Sequence, residues 1–175
     1  MSAPAAGEAR RPVRALLRAA AVVLALCGGA IASAAALLTT ASIIGRALWS
    51  SPIQGDVELT QCGIAIAIAM CLPWCQFQKA NIIVDFFTLR AAPAVRRRLD
   101  AAGALLLALM MALLAWRTWE GALAALSSGE TTIILGVPMW PVYAVLAPGL
   151  ALTAVIALYQ ACVEMGPAAA QDRPA

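Results

Sequence analysis

Residues 19–45 read AAAVVLALCGGAIASAAALLTTASIIG, an apolar stretch without a single charged side chain. A helix needs roughly 20 apolar residues to cross the ~30 Å hydrocarbon core of a bilayer. This stretch can therefore span and still protrude. Three further runs repeat the pattern, and the spans are expected at about 19–44, 59–78, 101–126 and 138–163. In lipid, each backbone N–H and C=O must be satisfied within its own segment or a closed barrel. Uninterrupted apolar runs of this length therefore predict an all-α integral membrane bundle of four transmembrane helices.

The composition agrees. The hydrophobic fraction is 63% and the mean hydropathy +0.86, against ~45–50% apolar residues in soluble domains. Lys and Arg total 12 and Asp and Glu 9, a formal charge of +3 that gives no reason to expect a nucleic-acid partner. There is no histidine, which removes bis-histidine haem, histidine metal sites and histidine proton relays. Cys27, Cys62, Cys71, Cys75 and Cys162 lie within or at the edges of apolar runs. Cys71 and Cys75 have the wrong spacing for a CxxC pair and lack the further ligands of a zinc site. They read as small apolar fillers, and no cofactor or metal is expected.

Residues 1–18 are rich in Ala and Arg and hold Pro4, Gly7 and Pro12, so a disordered basic tail is expected. A secretory signal peptide is the rival reading of this end. Arg10, Arg11, Arg14 and Arg18 would form its n-region, and Ala32-Ser33-Ala34 resembles a cleavage site. The apolar run continues through Leu37, Leu38, Ile43 and Ile44, beyond the ~7–15 residues of a signal h-region. An uncleaved first span is the preferred reading. Asp56 and Glu58 stand at the start of the second span, where acidic groups suit the helix dipole. Pro73 is expected to kink or end that helix late in its course. Residues 80–92 are amphipathic at helical spacing, with Ile82, Ile83, Phe86 and Phe87 on one face, and read as a short interfacial helix stopped by Pro93. The third run meets Arg117 early, so its helix is expected to continue to about Leu126, ended by Ser127-Ser128-Gly129. Pro148-Gly149 suggests a bend or break in the fourth. Residues 164–175 form a polar, Ala-rich tail. No internal repeat is apparent.

Basic residues favour cytoplasmic loops. The N-terminal arginines and the second loop, with Lys79, Arg90, Arg96, Arg97 and Arg98, put both termini in the cytoplasm. Trp49, Trp116, Trp119 and Trp140 then fall at the outer ends as an aromatic belt, with Trp74 the exception. The expected location is a bacterial inner membrane, multi-pass.

The spans hold few groups able to do chemistry. Runs one, two and four contain no charged residue, whereas a conducting or proton-coupled core needs ionisable groups inside the membrane. No carboxylate pair, nucleophile–histidine pair or Gly-rich phosphate loop is present, so an enzyme is not expected. The candidate partner-contact residues are Arg46 and Glu58 flanking the first outer loop, Asp85 on the interfacial helix, and Arg117 with Glu120 at i,i+3 spacing. Each also has a plainer reading as a solvated or snorkelling group. Arg96, Arg97 and Arg98 read as a topology signal in contact with anionic lipid headgroups.

Three stretches carry a resemblance. They are Gly45-Arg46-Ala47-Leu48-Trp49 leading through Pro52 and Gly55 to Val57-Glu58-Leu59; Gln78-Lys79-Ala80-Asn81-Ile82-Ile83-Val84-Asp85; and Val137-Pro138-Met139-Trp140-Pro141-Val142-Tyr143 with Pro148-Gly149. In order and spacing around four spans, the chain resembles the small, DctQ-like permease subunit of TRAP (tripartite ATP-independent periplasmic) transporters. Where the family commonly has Gly-His, this chain has Ala80-Asn81. The resemblance implies a large TRAP permease subunit and a periplasmic solute receptor as partners. It implies a scaffolding and receptor-docking role in ion-coupled uptake (symport) of a small organic solute such as an organic acid. The alternatives are a four-span membrane anchor of an unrelated multi-subunit complex and a self-sufficient small efflux carrier.

Overall fold

The computed structural model describes residues 5–49, 53–78 and 93–165. Among the described residues there are four helices: α1 (Ala5–Trp49), α2 (Asp56–Phe77), α3 (Pro93–Ser128) and α4 (Trp140–Met165). Each contains a stretch long and apolar enough to cross a membrane: Pro12–Leu48, Asp56–Phe77, Arg98–Ser128 and Trp140–Val163. The described residues contain no strand, and a single antiparallel bridge, Thr131 to Pro138, closes a small hairpin between α3 and α4. The segment read as an interfacial helix, 80–92, lies outside the described residues.

Helix boundaries depart from the sequence reading where proline and alanine compete. α1 begins at Ala5, inside the segment read as a tail, and carries Pro12 within it. Ala and Arg are among the strongest helix formers, and here they outweigh one proline. Pro93 opens α3, a position where its missing N–H is an orphan in any case. Neither Pro73 nor Pro148 ends or breaks its helix: α2 runs on to Phe77 and α4 is one helix from Trp140. Pro73 is itself buried against neighbours, and such packing holds a proline-bearing helix together in a membrane. α3 runs through Arg117 and Glu120 to Ser128 and ends at Gly129, whose φ of 67° is in the left-handed region.

The helices pack in a row, α1 on α2, α2 on α4, and α4 on α3, while α1 touches α4 only lightly. Among the described helices α3 has one substantial neighbour, α4. The bundle is thus open rather than closed, and the two outer helices present most of their surface outward. The seams are made of small residues. On α1, Ala21, Gly28, Ala35 and Ser42 are buried at seven-residue intervals. On α3, Ala101, Ala108 and Ala122 follow the same register, joined by Ala125. The leucines between them point out: Leu106, Leu109, Leu113, Leu114 and Leu123 are all exposed. This inversion of the soluble pattern follows from the solvent. Lipid is as apolar as leucine, so helices associate by close approach of small side chains and by hydrogen bonds.

Two glycines make that approach closest. A Cβ on Gly28 would lie 2.9 Å from the Ala67 carbonyl oxygen and 3.0 Å from the Cys71 Sγ. A Cβ on Gly149 would fall on the Ala69 carbonyl oxygen and 2.9 Å from its carbonyl carbon. The largest buried cluster, Leu17, Ala21 and Ile156, sits where α1, α2 and α4 converge, capped by Trp74, Phe77, Leu152 and Tyr159. The rings of Trp74 and Phe77 stack with centroids 6.1 Å apart. Because Gly149 meets rigid backbone, Gly149→Ala should destabilise the fold by about 1–3 kcal/mol, the usual cost of overpacking. Gly29→Ala, with nothing within 4 Å of its Cβ, should melt like the parent chain in the same detergent.

Candidate functional site

Polar side chains collect at the two ends of the row. At one end the start of α2 joins the end of α1 to the α3–α4 hairpin. Gly55 precedes α2 with φ 76°, a conformation that favours glycine, and its lack of a Cβ admits Leu135 of the hairpin, whose Cδ1 lies 2.6 Å from where that Cβ would be. Asp56 accepts the Val57 N–H at 2.8 Å and the Ser42 hydroxyl of α1. Arg46 is an electrostatic neighbour of Asp56. One turn deeper the hydroxyls of Thr39 and Thr60 meet at 3.0 Å.

Glu58 reaches across to the hairpin. Its two carboxylate oxygens accept the backbone N–H groups of Ile134 at 2.8 Å and Leu135 at 3.1 Å. These donors lie at the tip of a hairpin held by Thr132 N–H to Val137 O (2.8 Å), Met139 N–H to Glu130 O (3.0 Å) and Val137 N–H to the Thr132 hydroxyl (3.0 Å). A carboxylate on successive backbone N–H groups is a charge-assisted arrangement that leaves the side chains of Ile133 and Ile134 turned outward. Ile133 is 98% exposed and Ile134 62%. The result is a fixed apolar knuckle at one end of the protein.

At the opposite end α2 and α4 exchange amides. Gln76 Nε2 donates to Gln160 Oε1 at 2.7 Å, and Gln160 Nε2 donates to the Gln76 carbonyl at 2.7 Å. Among the described residues the buried polar side chains are Ser42, Gln76 and Thr153, and none is charged. No group of three or more His, Cys, Asp or Glu able to hold a metal occurs among the described residues.

The residues singled out from sequence fall into three sets. Arg46 and Glu58 share one end but do not pair, since Glu58 serves the hairpin. Arg117 and Glu120 do pair, at 2.9 Å within α3, with Trp116 Nε1 also donating to Glu120 at 2.9 Å. The Arg117 side chain is 73% exposed, and the trio lies on the face of α3 turned away from its alanine seam. Arg96 and Arg97 fall in the first turn of α3, and Arg98 beside them is exposed. Asp85 lies outside the described residues. Sequence reasoning missed the Gln76–Gln160 pair and the knuckle. A lone glutamine in an apolar run was the available signal for the first; Thr131 to Val137 between two helices was the signal for the second.

Glu58→Gln should keep the helices and loosen the knuckle. Hydrogen exchange of the Ile134 and Leu135 amides should accelerate severalfold while the Gln160 segment is unchanged. Unaltered exchange at both amides would show that the carboxylate does not hold the hairpin.

Comparison with known proteins gives one family. The chain matches the DctQ component of the tripartite ATP-independent periplasmic transporters over residues 35–165. No curated protein matches, nor does any solved structure. The matched region takes in the C-terminal end of α1, the whole knuckle and the Glu58 anchor, and all of α2, α3 and α4. With four membrane-capable helices, an uncharged interior and a family match over most of its length, the chain belongs to the DctQ family, the small membrane subunits of TRAP transporters.

Proposed function

We propose that the chain scaffolds a large permease subunit in the bacterial inner membrane and helps a periplasmic solute receptor dock, for ion-coupled uptake of a small organic solute such as an organic acid. One observation carries this reading: the open row of helices buries no charged side chain among the described residues. A pathway for ions or acids calls for ionisable groups within the membrane, whereas a support does not. The family match sets aside an anchor unrelated to TRAP transport.

Each exposed feature has a place in this reading. The outward face of α3, with Leu106, Leu109 and Leu113 leading to the Trp116–Arg117–Glu120 cluster, has none of the other described helices packed against it and is the surface for the large subunit. The knuckle is the contact for the receptor. Basic residues at 10–18 and 96–98 support a cytoplasmic N-terminus and start of α3, and in that topology the knuckle faces the periplasm. Asp85 remains a candidate contact with the large subunit.

Reconstituted uptake tests the assignment. The chain alone should move no solute, and the large subunit with receptor should need it. Ile133→Asp combined with Ile134→Asp should weaken uptake several-fold at limiting receptor and recover at high receptor, while co-purification with the large subunit is unchanged. Arg117→Ala with Glu120→Ala should do the reverse, lowering co-purification. Uptake by this chain without any other subunit would overturn the scaffold reading.

A further inference from the structure

At the end opposite the knuckle a cleft of about 260 Å³, partly open to the outside, is lined by Arg14, Phe77, Ile156, Tyr159, Gln160 and Val163. It lies where α1 and α4 come near without packing, with the end of α2 between them. Its walls are mainly apolar, from Phe77, Ile156, Val163 and the Tyr159 ring. The polar residues that line it are Arg14, Tyr159 and Gln160. Gln160 is committed to Gln76 and to the Phe77 carbonyl at 3.4 Å. Arg14 and Tyr159 make no hydrogen bond or ion pair among the described residues.

Level and charge narrow the occupant. Phe77 is the last residue of α2 and Val163 stands two residues before the end of α4, so the cleft opens where two spans run out of the membrane. Arg14 therefore sits at headgroup height, above apolar walls that lead inward. The first eighteen residues hold four arginines, Arg10, Arg11, Arg14 and Arg18, against one acid, Glu8. The volume falls below the ~300–1,000 Å³ of an enclosing small-molecule pocket, which suits an elongated ligand held over part of its length. We propose that the cleft binds one anionic phospholipid, its phosphate on the Arg14 guanidinium and the Tyr159 hydroxyl, and the upper part of one acyl chain along Phe77 and Ile156. This reading requires only that the chain spans a membrane, and it is independent of the scaffold and docking roles.

The test is lipid binding by the purified full chain in detergent, read by native mass spectrometry. Dioleoyl phosphatidylglycerol is compared with dioleoyl phosphatidylcholine, and inorganic phosphate serves as the headgroup-free probe. Phosphatidylglycerol should bind more tightly. Arg14→Gln should lower its affinity about fivefold, as expected for one basic group at a membrane surface, and Tyr159→Phe about threefold, one hydrogen bond's worth. Arg14→Lys should retain most of the binding, and guards against a folding defect in Arg14→Gln. Arg18→Gln, exposed on the same helix but outside the cleft, should leave affinity unchanged. Equal binding of the two lipids, an equal loss in Arg18→Gln, or displacement of lipid by millimolar phosphate would overturn the proposal. So would loss of the bound lipid when the large subunit co-purifies, which would assign the cleft to that subunit.

Discussion

Close backbone approach between helices is what the fold rests on. A bilayer offers apolar side chains no reward for hiding from it, so the four spans cannot be gathered by the hydrophobic effect that builds a soluble core. They are held instead by dispersion between small residues and by a few interhelical hydrogen bonds. Gly149 against the Ala69 carbonyl and Gly28 against the Ala67 carbonyl are where the helix surfaces come nearest. The seven-residue spacing of Ala21, Gly28, Ala35 and Ser42 keeps one such seam facing α2 along much of α1. The alanine seam of α3 does the same towards α4. Large residues are left for the outside, where lipid or another subunit meets them.

That economy decides where the polar groups go. The hydrogen bonds between side chains of different helices are found mainly near the ends: Ser42 to Asp56 and Thr39 to Thr60 at one, Gln76 to Gln160 at the other. Each satisfies groups that lipid would leave bare. Glu58 extends the same logic beyond the helices, using a carboxylate at the start of α2 to hold the turn that joins α3 to α4. A loop tied by its backbone can show apolar side chains without collapsing onto its own protein. The exposure of Ile133 is a consequence of that anchor.

The open order of the row matters for a subunit of a larger transporter. A closed four-helix bundle would share its small-residue seams among all neighbours and offer a rounded exterior. Here α2 and α4 form the interior, while α1 and α3 are flanks with one main neighbour each. Flanks of this kind leave broad surfaces uncovered by the other described helices, and no charged side chain is buried among the described residues. Both properties fit a member of a multi-component transporter family that works alongside other subunits.

Much of this was legible in the residues. Four apolar runs dictated four helices because lipid leaves the backbone no other arrangement, and the stop at Ser127-Ser128-Gly129 followed from local turn chemistry. The motifs around Glu58 and Pro138 pointed to the family through their order along the chain. Proline did not break either helix: Pro73, buried against its neighbours, and Pro148, exposed, both lie within continuous helices. Arg46 and Glu58, which flank the first outer loop, do not pair: Arg46 neighbours Asp56 while Glu58 holds the hairpin. Sequence by itself determined the number and the apolar character of the spans, because those depend on each segment's own meeting with lipid. The tertiary structure alone decided which alanines form seams, that the row stays open, and that Glu58, Ile134 and Leu135 meet, because those depend on how close two backbones can come.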